Sequence, residues 1–320
     1  MKAAYRRITG AAIVALCGVA GAPARADQQL LCVLVPHFKD EYWLSVAHGL
    51  EQRSAEQGLS VRFFEAGGYD ALANQIEQIG ACTDLEPGAI LIGAVSSDAP
   101  GLLAAVQEAA ETQPVIGLVN ELHSDALAAR VGVDWFDMGL VLGRHLAARF
   151  PAGGKVHEAV LLSGPPASGW VAPLEQGLHR GIEGSSVAIV ATYGADTGTS
   201  QQLRLVEMAW AAHPGIELVI GSAPAIEAAM GLFAGRPDRP ELAATYVSHS
   251  VARGLVGRQI LAAPFDNPIQ QGRAAVDAAV ATMEGNPPPG RVGTQIVIYA
   301  TGISPDRIEL SPADYFPSLD

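Results

Sequence analysis

Two α/β lobes, each a doubly wound parallel sheet flanked by helices, are the fold that the order of apolar segments predicts. Three observations carry this expectation. Strand-length apolar runs alternate with helical patterns along the whole chain, the alternation restarts near residue 125, and Gly-Pro-rich stretches such as "SGPPASGW" and "EGNPPPG" fall between the segments. Repeated strand–helix steps specify parallel sheets, and a restart specifies two of them.

The elements follow in order. "LLCVLVP" and "VRFFEA" read as strands. Between them, Trp43, Val46, Ala47 and Leu50 fall on one helical face, and Gly58 ends the helix. A helix through "ANQIEQIGACT", the strand "AILIGAV", a helix through "GLLAAVQEAAE" and the strand "PVIGLVN" complete the first set. The second set begins with "ARVGV", a helix at "MGLVLGRHLAARF" and the strand "HEAVLLSG". "VAIVATYG", "ELVIGSA" and "AATYVSH" supply further strands, and "NPIQQGRAAVDAAVATMEG" reads as an amphipathic helix returning to the first lobe. The expected division is 27–122 plus 262–296 for one lobe and 123–261 plus 297–320 for the other. Crossings are expected near 120–130, near 250–266 and at "VIYATG".

Residues 1–26 have the layout of a cleavable export signal: Lys2, Arg6 and Arg7, a short apolar core, then "ARA" ending at Ala26. The core is too short to span a bilayer. Cys17 follows Leu16, where lipid attachment wants a small residue, so a lipoprotein is not expected. This leader holds four of the 20 basic side chains and no acid, which leaves 16 against 33 acidic ones, a net charge of −17. A chain so acidic binds neither nucleic acid nor an anionic membrane through its bulk field. Cys32 and Cys82 remain. An even count in an exported protein favours a disulfide over two buried thiols.

Aromatics are only 6% of the residues, yet "FKDEYWLSV" sets Tyr42 beside Trp43 at a helix start. In open parallel sheets ligands bind beyond the carboxyl ends of the strands. Tyr42 and Trp43 follow the first strand, Tyr69 the second, and Trp135 the strand that opens the second set. A cleft between the lobes would gather all four. Aromatic faces around a small volume suit a quaternary, methylated nitrogen, each good contact being worth about 0.5–2 kcal/mol. Asp40, Glu41, Asp134 and Asp137 either add negative potential or, for Asp40 and Asp134, cap helices.

"PHFKDEYWLSV", "EAGGYD", "VGVDWFDMG", "GSAPAIEAA" and "QQGR", in this order, resemble the periplasmic binding proteins of the ribose and LacI-like type. More narrowly, they resemble the periplasmic sensors of trimethylamine N-oxide (TMAO) within that family. The resemblance implies the two-lobed periplasmic binding protein type I fold, a periplasmic location and no enzymatic activity. It also implies TMAO held between the lobes by Tyr42, Trp43, Tyr69 and Trp135, and partnership with a TorS-like membrane histidine kinase. The indole N–H of Trp43 or Trp135 and the Tyr69 hydroxyl are able to donate to the oxide oxygen. One departure stands out: the family pattern places an aromatic after "SH", where this chain has Ala252.

Other classes are weaker. The eight histidines show no metal-ligand spacing, and Ser163 in "LLSGPP" has no identifiable base. A cytoplasmic repressor of this fold would lack an export signal and carry a DNA-binding headpiece. The main competitor is a solute-binding protein of an ABC transporter for a sugar or another small solute, with Asn120, Asp196 and Gln271 meeting hydroxyls.

Overall fold

The computed structural model describes Met1 and residues 29–319, so the leader expected over residues 1–26, Cys17 included, lies outside them apart from Met1. The first sheet collects β1 (Leu30–Val35), β2 (Ser60–Glu65), β3 (Ala89–Ile92), β4 (Val115–Leu118), β5 (Leu127–Val131) and β11 (Arg291–Val292), in the order β11-β5-β4-β3-β1-β2. Helices α1 (Glu41–Glu56), α2 (Leu72–Thr83), α3 (Pro100–Ala109) and α9 (Pro268–Met283) flank it. The second sheet holds β6 (His157–Ser163), β7 (Val187–Gly194), β8 (Leu218–Gly221) and β9 (Glu241–Ala244), in the order β7-β6-β8-β9. Its helices are α4 (Trp135–Arg149), α5 (Val171–Ile182), α6 (Thr199–Ala212), α7 (Ala223–Leu232) and α8 (His249–Val256). Pairing between these strands is parallel throughout, and both sheets wind as second-first-third-fourth.

Covering each sheet on both faces explains the nearly continuous apolar strands. In β1, Leu31, Val33 and Val35 enter one core while Cys32 and Leu34 enter another, and all five are at most 1% exposed. The helices over these faces approach closely because glycines meet backbone. A Cβ built on Gly49 of α1 would stand 2.1 Å from the Ile269 carbonyl oxygen of α9. One built on Gly177 of α5 would stand 1.9 Å from the Phe136 carbonyl oxygen of α4. Both contacts fix helices whose first turns reach the cleft.

The strand pairing changes the expected division in two places. β5 is hydrogen-bonded to β4, so it closes the first sheet instead of opening the second, and the crossing follows it at residues 132–134. The restart of the pattern misplaces this step because β5, like a first strand, is apolar and leads into an amphipathic helix. β10 (Ala262–Phe265) pairs antiparallel with β12 (Val297–Ala300), which leaves the return to the first lobe at Asp266–Asn267. The C-terminal segment then reaches back to α1, where the Ser311 N–H donates to Ser45 Oγ at 3.2 Å and the Tyr315 hydroxyl donates to Glu51 at 2.9 Å.

Cys32 of β1 and Cys82 of α2 form a disulfide, with Cα atoms 6.0 Å apart and both residues fully buried. It staples α2 to the sheet and closes a 50-residue separation. By the chain-entropy relation this stabilises by about 4 kcal/mol. Replacing both cysteines by serine should therefore lower the free energy of unfolding by several kcal/mol in urea titrations. A variant as stable as the parent would remove the staple's role.

Candidate ligand-binding site

The carboxyl ends of the two sheets face each other, and the loops leaving them meet around a small cavity. Tyr42 and Trp43 come from the first turn of α1, Tyr69 from the loop after β2, and Val119 and Asn120 from the end of β4. Trp135 opens α4, Trp170 immediately precedes α5, Thr197 lies before α6, and Tyr246 follows β9. Asp40, the N-cap of α1, completes the lining. No lining residue is more than 7% exposed, so the cleft is shut.

Six aromatic rings form the wall. Tyr42 lies 5.4 Å from Tyr246, 6.1 Å from Trp43 and 6.5 Å from Trp135, measured between ring centroids. Trp170 lies 5.5 Å from Trp135 and 6.1 Å from Tyr246. Most of these pairs meet edge to face, the arrangement that ring quadrupoles favour. Two glycines make room for indoles: a Cβ on Gly93, after β3, would stand 2.4 Å from Trp43, and one on Gly164, after β6, 2.1 Å from Trp170.

The polar groups are few and mostly committed. Asp40 accepts from the Tyr246 hydroxyl at 2.5 Å and from the Tyr42 N–H at 3.1 Å. Burial pushes its carboxyl up to about 6, against the lowering effect of those two donors and of His37. The Trp135 indole donates to the Val119 carbonyl at 3.0 Å. Val119 is held at φ 63°, a left-handed conformation that costs a β-branched residue about 1–3 kcal/mol. Asn120 donates to the Tyr69 hydroxyl at 3.2 Å and to the Ala94 carbonyl at 2.8 Å. Burial raises the Tyr69 hydroxyl, partly offset by the Asn120 amide that donates to its oxygen and by the nearby Trp43 and Trp170 indoles. The buried Trp170 N–H has no hydrogen-bond partner.

Behind the wall, the Tyr42 hydroxyl donates to Asp266 at 2.8 Å, and Gln271 donates to both Tyr42 at 2.9 Å and Asp266 at 2.5 Å. Asp266 sits at the return crossing, wholly buried, and burial raises its carboxyl to about 6 despite these donors.

All four aromatics expected from the sequence, Tyr42, Trp43, Tyr69 and Trp135, line the cavity. Asp40 does too, whereas Asp134 caps α4 by accepting from the Phe136 N–H. Ala252 is half-buried, packed against the core, and is not part of the cavity lining. Trp170 and Tyr246 were not anticipated. Trp170 follows β6, the true first strand of the second sheet, and is that lobe's counterpart of Trp43; "SGPPASGW" ends on it. Among the described residues, no group of three or more His, Cys, Asp or Glu is placed to hold a metal, and no helix is long and apolar enough to cross a membrane.

Residues 31–287 match the periplasmic binding protein domain. The chain belongs to the periplasmic binding protein family. It is 34% identical to the periplasmic protein TorT of Escherichia coli K12 over 291 residues, 90% of this chain and 83% of that one. Among solved structures, a chain of the TorS sensor domain–TorT complex in the presence of TMAO is 34% identical, with a TM-score of 0.80. That match covers 92% of this binding protein and 100% of the other chain. An ABC transporter solute binding protein from Bradyrhizobium sp. BTAi1, with bound bis-tris, is 35% identical with a TM-score of 0.76, covering 92% and 90%.

The raised carboxyl of Asp266 makes a prediction about this binding protein. Its folded pKa of about 6 exceeds the ordinary 3.8, so the native state binds a proton that the unfolded chain has released between those values. Stability then falls as pH rises from 4 to 6, by at most about 3 kcal/mol from this group, and levels off above 7. Asp266→Asn removes that dependence. In urea titrations the variant should gain on the parent as pH rises from 4 to 7; a constant difference would mean that Asp266 does not titrate in this window.

Proposed function

We propose that this periplasmic protein senses TMAO in the inter-lobe cage and reports its presence to the periplasmic sensor domain of a TorS-like membrane histidine kinase, thereby regulating TMAO respiration. The observation that carries the reading is the enclosed cavity with six aromatic rings and one buried carboxylate. The methylated nitrogen would meet the faces of Tyr42, Trp43, Tyr69 and Trp135, joined by Trp170 and Tyr246. Asp40 would favour its positive charge. The oxide oxygen needs donors, and the Tyr69 hydroxyl and the Trp43 and Trp170 indoles are the ones available, since the Trp135 indole is committed to Val119. Nothing in this chemistry calls for catalysis or a cofactor.

Ligand and signal are joined by the two-sided construction of the cage. Tyr42, Trp43 and Tyr69 belong to the first lobe and Trp170 and Tyr246 to the second, so a filled cage favours the closed state over an open one. A ligand shifts such an equilibrium only by its differential affinity for the two states. A kinase domain that distinguishes the closed shape must, by linkage, change TMAO affinity by the same factor.

The competing reading, a transporter's solute-binding protein, draws support from the Bradyrhizobium relative. The polar groups favour it less. Asn120 lines the cavity, but its amide donates to Tyr69 and Ala94. Asp196 is occupied by His37 and the Tyr69 N–H, and Gln271 by Asp266 and Tyr42, and neither of these two lines the cavity.

Calorimetry with TMAO, trimethylamine, glycine betaine and ribose separates the two. TMAO should bind and ribose should not, and Trp43→Ala, Trp135→Ala or Trp170→Ala should weaken TMAO at least tenfold with the protein still folded, a loss of about 1.4 kcal/mol or more. Tight ribose binding would reverse the ranking.

A further inference from the structure

We propose that His37 and Asp196 form a latch between the lobes, which holds the cage shut and sets Tyr69 in place without touching the ligand. His37 lies between β1 and α1 in the first lobe and is 0% exposed; Asp196 lies between β7 and α6 in the second and is 8% exposed. His37 Nε2 stands 2.9 Å from Asp196 Oδ1 and 3.1 Å from the Thr197 hydroxyl. An ionised carboxylate only accepts, so the imidazole N–H donates across the cleft. The other carboxylate oxygen, Oδ2, accepts the Tyr69 N–H at 3.3 Å, and the His37 ring packs edge-on against the Tyr69 ring at 5.7 Å. One second-lobe carboxylate therefore grips the first lobe at two points, both next to a cage wall.

The surroundings are shaped for this approach. A Cβ on Gly68 would stand 2.4 Å from Asp196 Oδ2, and the φ of +157° there is one that other residues rarely adopt. Burial pushes the Asp196 carboxyl up, yet the His37 contact, the Tyr69 N–H and nearby Lys39 outweigh it and keep the group ionised. Neither His37 nor Asp196 lines the cavity. Two other side-chain links across the cleft differ in this respect or in kind. The Asp40–Tyr246 bond is itself part of the cavity wall, and Glu41 meets the Ser250 N–H at 2.8 Å through a partly exposed carboxylate.

Opening the lobes exposes both partners to water, so the latch stabilises the closed state whatever fills the cage. Hydrogen bonds to charged groups shift such an equilibrium by about tenfold or more. Apparent ligand affinity falls in proportion to any loss of the binding-competent state. His37 and Asp196 are thus positioning residues whose effect on affinity passes through closure. The affinity part of this inference rests on the TMAO reading; the closure part does not.

The test combines small-angle scattering of the ligand-free protein with TMAO calorimetry, on the parent, His37→Ala, Asp196→Ala and the double variant. Asp196→Asn, which keeps an acceptor oxygen, is the conservative control, and circular dichroism checks folding. The alanine variants should show a larger radius of gyration without ligand and about tenfold weaker TMAO binding. The double variant should be no weaker than the weaker single one, because each half of a pair is useless alone, and Asp196→Asn should recover part of the loss. Ligand-free scattering curves of Asp196→Ala and Asp196→Asn that both superimpose on the parent's would overturn the latch, as would losses that add in the double variant. Should the parent fail to bind TMAO, the ligand reading falls and scattering alone still decides the latch.

Discussion

The hydrogen bond from Tyr246 to Asp40 ties local structure, tertiary structure and site chemistry to one carboxylate. Asp40 caps the first turn of α1 through the Tyr42 N–H, and that cap sets the direction in which Tyr42 and Trp43 leave the helix. Its other oxygen receives a hydroxyl from the opposite lobe. A buried carboxylate is costly unless its charge is met. Here two donors and His37 meet it only in part, which leaves its affinity for protons raised and its potential negative. A positively charged nitrogen in the cavity would supply the missing compensation.

The wall around that carboxylate is built twice from the same parts. In each sheet the first strand leads to a loop whose following segment presents an indole, Trp43 after β1 and Trp170 after β6. In each case a glycine just beyond a strand, Gly93 or Gly164, yields the space the indole occupies. The helices behind them are then seated by glycine-to-backbone contacts, Gly49 on α9 and Gly177 on α4. Large flat side chains near the cleft and absent side chains behind it are two sides of one packing solution, because close-packed interiors leave no slack for both.

Three first-lobe contributions, the Asp40 cap, the Tyr42 hydroxyl and the Tyr69 backbone, are each anchored to a separate partner: Tyr246, Asp266 and Asp196. Two of these partners belong to the second lobe and the third sits at the return crossing. Two of the three walls are therefore anchored across the cleft, and the third at the crossing that joins the lobes.

Strand and helix identities were legible in the sequence because parallel strands buried on both faces are continuous apolar runs and the helices between them are amphipathic. So were the four aromatics Tyr42, Trp43, Tyr69 and Trp135, since position after a strand names the rim on which a side chain emerges. Cys32 and Cys82 were legible as a pair by number alone. Trp170 and Tyr246 were not. Finding Trp170 requires knowing that β6 is the first strand of its sheet, and β5 mimics that role in periodicity while pairing elsewhere. The commitments of Asp196, Gln271 and the Trp135 indole were equally hidden, because each is a hydrogen bond between segments up to 229 residues apart. Local pattern determined the elements and the rim. Which strand joins which sheet, and which polar group is already occupied when the lobes close, was decided only by tertiary structure, since both depend on partners that periodicity does not encode.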